Sequence, residues 1–217
     1  MNHGDAMPKN SAFAPKESRQ PAKSAATRRK ILDAAARTFR DKGYAATTLN
    51  DIADAAEIRA ASLYYYFRSK EDLLDAVFGI GMQRVVDAVR QRSAALPQNA
   101  TLAQRVQVAI EAHLEMLLQQ GDYTSANIRI FGQVPKSVQR KQLPLREDYA
   151  EFWRDLLENA QRAGEVRADV DLAVMRMLIL GALNWCTEWA DPKKGPVREI
   201  ARQATLLVLD GIAKRKK

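Results

Sequence analysis

The chain has 217 residues, close to half of them apolar, a net charge of +8 and one cysteine. That length bounds it to one large domain or to a small domain beside a medium one, with enough apolar residues for an ordinary core. The absence of any run of 18 uncharged apolar residues argues against a membrane span. The lysines near the N-terminus precede no apolar stretch, so they do not read as a secretion signal. Lone Cys186 can build neither an internal disulfide nor a cysteine-based metal site, and the reducing cytoplasm is the expected compartment. Beside Trp185 it reads as a small buried side chain, with a redox sensor as the alternative. Charge is distributed unevenly. Residues 1–70 hold 13 Lys and Arg against 7 Asp and Glu, and residues 71–217 hold 21 against 19. Such asymmetry fits an anion-binding surface in the N-terminal third, for which nucleic acid is the commonest partner; a merely solubilising basic arm is the alternative.

Residues 1–24 lack periodicity and are rich in Pro, Ser, Lys, Asn and Gln, which predicts a disordered basic arm. The arm either follows a DNA backbone or is inert. Ile31, Leu32, Ala35, Ala36 and Phe39 then share one helical face, and Gly43 stops that helix. Thr48-x-x-Asp51 has capping-box spacing and opens a short helix whose inner face is Leu49, Ile52, Ala53 and Ala56. A third helix covers Arg59 to Phe67. Two helices of about two turns, joined by a turn of about three residues, have the spacing of a helix-turn-helix.

Ser69-x-x-Asp72 opens a fourth helix that continues to about Ser93. After the break at 96–99, Thr101 starts a fifth that reaches Gln120. A sixth is predicted from Tyr123 to Phe131, and a seventh from Ser137 to Ala163, where Pro144 kinks the helix or offsets its start. An apolar eighth spans Asp171–Ala190 and a ninth Val197–Ala213. The expectation is an all-α chain of about nine helices. Its predicted divisions are 1–24 (arm), 25–70 (helix-turn-helix domain), 71–213 (helical ligand-binding and dimerisation domain) and 214–217 (basic tail).

A helix that reads DNA needs an apolar inner face and small or polar outward side chains. In the third helix Leu63 and Phe67 face inward, while Ala60, Ala61 and Ser62 leave room for close approach to base edges in the major groove. Tyr64 and Tyr65 place hydroxyls at phosphate height. Thr48 lies at a helix N-terminus, which attracts phosphate, and Lys70 brings a charge beside another. Each feature alone is equally a packing or capping device; the weight lies in their joint spacing.

The stretch from Ile31 to Leu74 resembles the TetR family of regulators. The matching positions are Ala35, Ala36 and Phe39, the Gly43-Tyr44 corner, Thr47-Thr48, Asp51-Ile52-Ala53, Leu63-Tyr64-Tyr65-x-Phe67, Lys70 and Leu73. The resemblance implies a three-helix DNA-binding domain, a helical ligand-binding domain, homodimerisation and repression relieved by a small molecule. By position, Thr48, Tyr65 and Lys70 correspond to phosphate-contacting sites, and Arg59, Ala60, Ala61, Ser62 and Tyr64 to base-reading and groove-lining sites. Three positions depart from the pattern. Glu57 stands where the family often has Gly, and is expected to adopt an unfavourable backbone at a cost of about 1 kcal/mol. Arg59 replaces a small hydroxyl residue, so the third helix lacks its usual cap. Tyr66 replaces a His.

The remaining chain shows no acid/base or metal constellation, and neither enzymatic activity, a cofactor nor a metal is expected. His113, the one histidine outside the arm, reads more readily as a core residue than as a base. A candidate pocket for an amphipathic ligand gathers His113, Met116, Arg129, Phe131, Trp153, Asn184, Trp185 and Trp189, with Arg129 meeting a carboxylate or phosphate. An ordinary bundle core with a solvated Arg129 is the alternative. Gly181–Trp189 resembles TetR regulators of fatty-acid, acyl-CoA or steroid catabolism. Two stripes, Val174, Leu178, Gly181 and Ala182 on the eighth helix and Ile200, Ala204, Leu207, Val208 and Gly211 on the ninth, suit a two-fold four-helix interface or packing within the monomer. The expected partners are thus a palindromic DNA operator, a second copy of the chain and a small effector. A dimeric DNA-binding regulator without an effector is the alternative.

Overall fold

The computed structural model describes residues 19–212 apart from 120, 192 and 194. Those residues form nine α-helices: α1 (Arg19–Ala46), α2 (Leu49–Ala55), α3 (Ala60–Tyr66), α4 (Lys70–Ala94), α5 (Leu102–Leu118), α6 (Asp122–Ile130), α7 (Lys136–Arg162), α8 (Leu172–Trp189) and α9 (Val197–Ile212). A single 3-10 turn, Phe131–Gln133, follows α6. No helix among them is long and apolar enough to cross a membrane.

Local chemistry sets the helix ends. Thr48 caps α2, accepting from the Asp51 amide at 3.1 Å while the Asp51 carboxylate accepts from the Thr48 amide at 2.8 Å. Ser69 caps α4 and Asp171 caps α8 in the same sense. α2 ends in a Schellman motif: the Ile58 amide bonds the Ala53 carbonyl and the Glu57 amide the Asp54 carbonyl. That motif puts Glu57 at φ 51, the left-handed backbone anticipated for it. Arg59 precedes α3 with no side-chain cap.

Two expectations are corrected. α1 begins at Arg19, so residues 19–24 are helical rather than part of an arm. Pro21 falls in the first turn, where a missing N–H breaks no intrahelical bond. Residues 1–18 and the tail 214–217 lie outside the described residues. α7 starts at Lys136 and runs through Pro144, which sits on an exposed face; the helix accepts the lost hydrogen bond instead of beginning after it.

The core falls into two clusters. One joins α1, α2 and α3 to Leu73, Leu74, Val77 and Phe78 of α4 and to Tyr123, Ala126 and Ile130 of α6. The other joins the second half of α4 with α5, α7, α8 and α9. The first cluster therefore crosses residue 70. Three helices, two of them only seven residues long, are too small to enclose a core alone, and they borrow one face of the larger domain. Cys186 is buried in the second cluster, and burial pushes its thiol pKa up, which favours the inert reading.

Candidate functional site

The exposed surface of the N-terminal head is built by α2 and α3. Leu63 is fully buried and Phe67 nearly so, which turns the opposite face of α3 outward. That face carries Arg59, Ala61, Ser62, Tyr64 and Tyr65, all exposed; Tyr65 is 82% exposed, its ring edge-on to Tyr66. Ala60 differs from its neighbours, since it is half-buried against the head core.

Thr48 and Lys70 are more engaged than the sequence suggests. The Thr48 hydroxyl accepts from the Asp51 amide and donates to the Asp51 carboxylate at 2.7 Å. Lys42 pairs with the same carboxylate at 2.8 Å, and together these contacts hold its pKa well below the usual range. The start of α2 thus already carries its own anion. Lys70 donates to the carbonyls of Tyr44 and Thr47, both at 2.9 Å, and lies over the Tyr44 ring. Two of its three N–H bonds fasten the corner between α1 and α2.

The head is held to the larger domain through α6. Arg40 of α1 pairs with Asp122, and Tyr123 donates to Asp33 of α1 at 2.7 Å. Behind that contact α4 and α6 nearly touch: a Cβ on Gly81 would lie 2.7 Å from the Tyr123 carbonyl oxygen. Only a residue without a side chain permits this crossing.

Directly beyond the crossing lies a cavity of about 120 Å³ between α4, α5, α6, α7 and α8. Gly81, Met82 and Val85 line it from α4, and Thr124, Asn127 and Ile128 from α6. Its polar wall is a hydrogen-bonded chain. His113 Nδ1 lies 2.7 Å from the Tyr149 hydroxyl and Nε2 3.2 Å from Asn184 Oδ1. Asn184 Oδ1 can only accept, so Nε2 carries the proton and Tyr149 donates to Nδ1. Burial pushes the His113 pKa down to about 4 and leaves the ring neutral at pH 7. The other polar feature is Arg146, whose guanidinium bonds Asn127 Oδ1 and stacks 3.5 Å from the Phe131 ring centre. Its Nε is buried without a partner, and burial lowers its pKa to about 10.

Two family models match the chain: bacterial regulatory proteins of the tetR family over residues 31–77, and the tetracyclin repressor-like C-terminal domain over residues 99–212. The chain belongs to the TetR family. It is thus a DNA-binding transcription regulator, and its relatives are regulators rather than enzymes. It is similar to the HTH-type transcriptional repressor KstR2 of Rhodococcus jostii, with 29% identity covering 86% of this chain and 91% of that repressor. Similarity to the fatty acid metabolism regulator protein of Bacillus subtilis is 24% identity, over 84% and 93%. Among solved structures, the TetR regulator PfmR of Thermus thermophilus superposes with a TM-score of 0.73 at 26% identity, covering 87% of this chain and 97% of that one.

Of the predicted pocket residues, the cavity gathers only His113 and Asn184. Trp153 is fully buried in the second core, edge-on to Tyr149 and Phe152. Met116 packs on that core, and its carbonyl accepts from Thr124. Phe131 belongs to the head-side cluster and meets the cavity only through Arg146. Arg129 pairs with Glu188 at 2.9 Å and, together with Asn184 and Trp185, lines a separate open depression that adjoins the cavity and shares Ile128 and Asn184 with it. Trp185 and Trp189 are more than half exposed. They extend the outward stripe of α8, where Val174, Leu178, Gly181 and Ala182 are also exposed. On α9 Leu207 and Gly211 are exposed, whereas Ile200, Ala204 and Val208 are half-buried against the second core. Sequence reading missed Arg146, Tyr149 and Asn127. Arg146 reads as one more charge on an amphipathic helix, although its spacing from Gln142 and Tyr149 puts it on the inward face of α7.

Proposed function

We propose that the protein is a cytoplasmic homodimeric repressor that leaves a palindromic operator when a small amphipathic ligand fills the cavity. The observation that carries this reading is the double role of α6. One of its faces forms a cavity wall through Thr124, Asn127 and Ile128, and its first turn holds α1 through Asp122 and Tyr123. A ligand that displaces α6 shifts the head relative to the rest of the protomer. Two heads on one operator tolerate little change in spacing, because half-sites lie a fixed helical repeat apart.

Two copies meet in this reading through the exposed stripes of α8 and α9, with Leu178, Trp185, Trp189 and Leu207 at the centre of an isologous interface. Arg59, Ala61, Ser62 and Tyr64 face the major groove. Thr48, Tyr65 and Lys70 approach phosphates, the last after its clamp on Tyr44 and Thr47 is satisfied. The effector belongs to the acyl-CoA, fatty-acid or steroid-acid group, in line with the name of the Bacillus subtilis relative.

The test is binding to the palindrome upstream of the gene, with and without acyl-CoAs, fatty acids and steroid acids. Affinity is expected to fall steeply with salt, and at least one compound is expected to release the DNA and raise the melting temperature. DNA binding that no compound alters supports a dimeric regulator without an effector. Leu178→Glu is expected to yield monomers by light scattering and to lose operator binding; a variant that remains dimeric moves the interface elsewhere.

A further inference from the structure

We propose that the cavity takes a compact organic acid whose carboxylate binds Arg146 inside the protein, so that the regulator senses the free acid rather than its thioester. This rests on the effector reading above and specifies the chemistry of that site.

Arg146 is a half-buried cation without a counter-ion. Arg40, Arg90, Arg92, Arg105 and Arg129 each lie within ion-pair distance of a carboxylate, and no such pair includes Arg146 among the described residues. Its partners are a neutral amide oxygen and an aromatic face. Its buried Nε has no acceptor. Buried donors are nearly always satisfied, and an uncompensated buried charge is strongly unfavourable. Arg146 lines the cavity, and a carboxylate meets the fork geometry of a guanidinium.

Size narrows the class. The space of about 120 Å³ is close to a cavity of roughly 150 Å³ that admits benzene in an unrelated protein. Coenzyme A is too large to enter whole, and a thioester carbonyl would leave the arginine charge unpaired. Met82, Val85, Leu117 and Leu180 give the ligand's body an apolar lining. The neutral chain of Tyr149, His113 and Asn184 supplies no second charge. The bound acid therefore carries its one charge at Arg146.

The same contact explains the response. A carboxylate on Arg146 competes with Asn127 Oδ1, and Asn127 also donates to the Phe78 carbonyl of α4 at 3.0 Å. Drawing Arg146 away loosens the link between α6 and α7 beside the helix that carries the head.

The experiment uses the full chain, melting temperature, calorimetric titration and release of its operator. The probes are benzoate, phenylacetate, cyclohexanecarboxylate and isovalerate, with their primary amides and coenzyme A thioesters. At least one free acid is expected to stabilise the protein and release DNA, with its amide and thioester inactive at the same concentration. Arg146→Met is expected to weaken that acid about thirtyfold or more, while its ligand-free melting temperature stays level or rises, as befits removal of an unpaired charge. If it does not fold, Arg146→Lys is the substitute, expected to bind the acid measurably more weakly than wild type. Amides or thioesters as active as the acids, or an unaltered affinity in the Arg146 variant, overturns the proposal and leaves the effector reading standing. Silence from every compound, charged or neutral, overturns the proposal as well, and the effector reading falls only if the fatty acids and steroid acids named for it are also silent.

Discussion

The side-chain amide of Asn127 donates to the main-chain carbonyl of Phe78 at 3.0 Å, and its oxygen accepts from Arg146. One buried residue of α6 thus ties together α4 and α7, the two long helices on either side of it. Asn127→Ala removes both bonds and leaves Arg146 with no hydrogen-bond partner. The expected loss is about 1–3 kcal/mol, the range for stranding buried polar groups. Urea denaturation checks it. A loss well below 1 kcal/mol would mean that water or a shifted Arg146 replaces the amide.

Gly79 and Gly81 lie two residues apart on α4 and make opposite predictions. A Cβ on Gly81 would meet the Tyr123 carbonyl at 2.7 Å, whereas nothing lies within 4 Å of one on Gly79. Gly81→Ala must therefore push α6 from α4, at a cost of about 1–3 kcal/mol. Because α6 holds the head, operator affinity is expected to fall as well. Gly79→Ala gains helix propensity and is expected to stabilise by roughly 0.5–1 kcal/mol with DNA binding unchanged. Paired melting curves and operator titrations decide; equal effects from both substitutions would show that the α4–α6 crossing relaxes freely.

The head was legible because its signals are local. Thr48 and Ser69 announce helix starts, and Gly43, at φ 77, announces the break near the end of α1, through chemistry that needs no tertiary partner. The pocket was not, because it depends on which faces of five helices converge. Helical periodicity nevertheless separates the faces there. Arg129 and Phe131 are two residues apart on or just beyond α6, so they point to different sides; Asn127, four before Phe131, shares its side. On α8 the same rule separates Leu180 and Asn184, which line the cavity, from Gly181, Trp185 and Trp189, which follow the outward stripe. Large aromatics drew the eye to a pocket, although an exposed tryptophan pair on an apolar stripe more often marks an interface.

Glu57 offers a test of backbone strain. Its φ of 51 is forced by the Schellman turn that ends α2, and its side chain pairs with Lys30 at 2.7 Å. Glu57→Gly removes a strain of about 1 kcal/mol along with a surface ion pair worth little. The melting temperature is expected to rise slightly or hold. Lys30→Ala isolates the pair and is expected to change stability by less than about 1 kcal/mol. A clearly destabilised Glu57→Gly would show that the ion pair, rather than the backbone, governs this turn.

His113 gives the protein a distinct acid sensitivity. Burial holds its pKa near 4, below the ordinary 6.5. A histidine lowered in the folded state is protonated first in the unfolded one, so acid favours unfolding. Its neutral form therefore contributes fully above about pH 6.5, and that contribution drains away as pH falls toward 4. The amount at stake is on the order of 3 kcal/mol. The carboxylates with lowered pKa, among them Asp41, Glu71 and Glu199, lose their contributions only at or below about pH 4.5. The interval from pH 6.5 to 4.5 therefore isolates the buried imidazole. Denaturant midpoints measured across it are expected to fall steadily in the wild type. His113→Gln keeps a donor and an acceptor for Asn184 and Tyr149 but cannot take up the proton, so its midpoint should stay nearly flat over the same interval. Parallel slopes for the two proteins would mean that the imidazole reaches water and titrates in the folded protein much as it does in the unfolded chain.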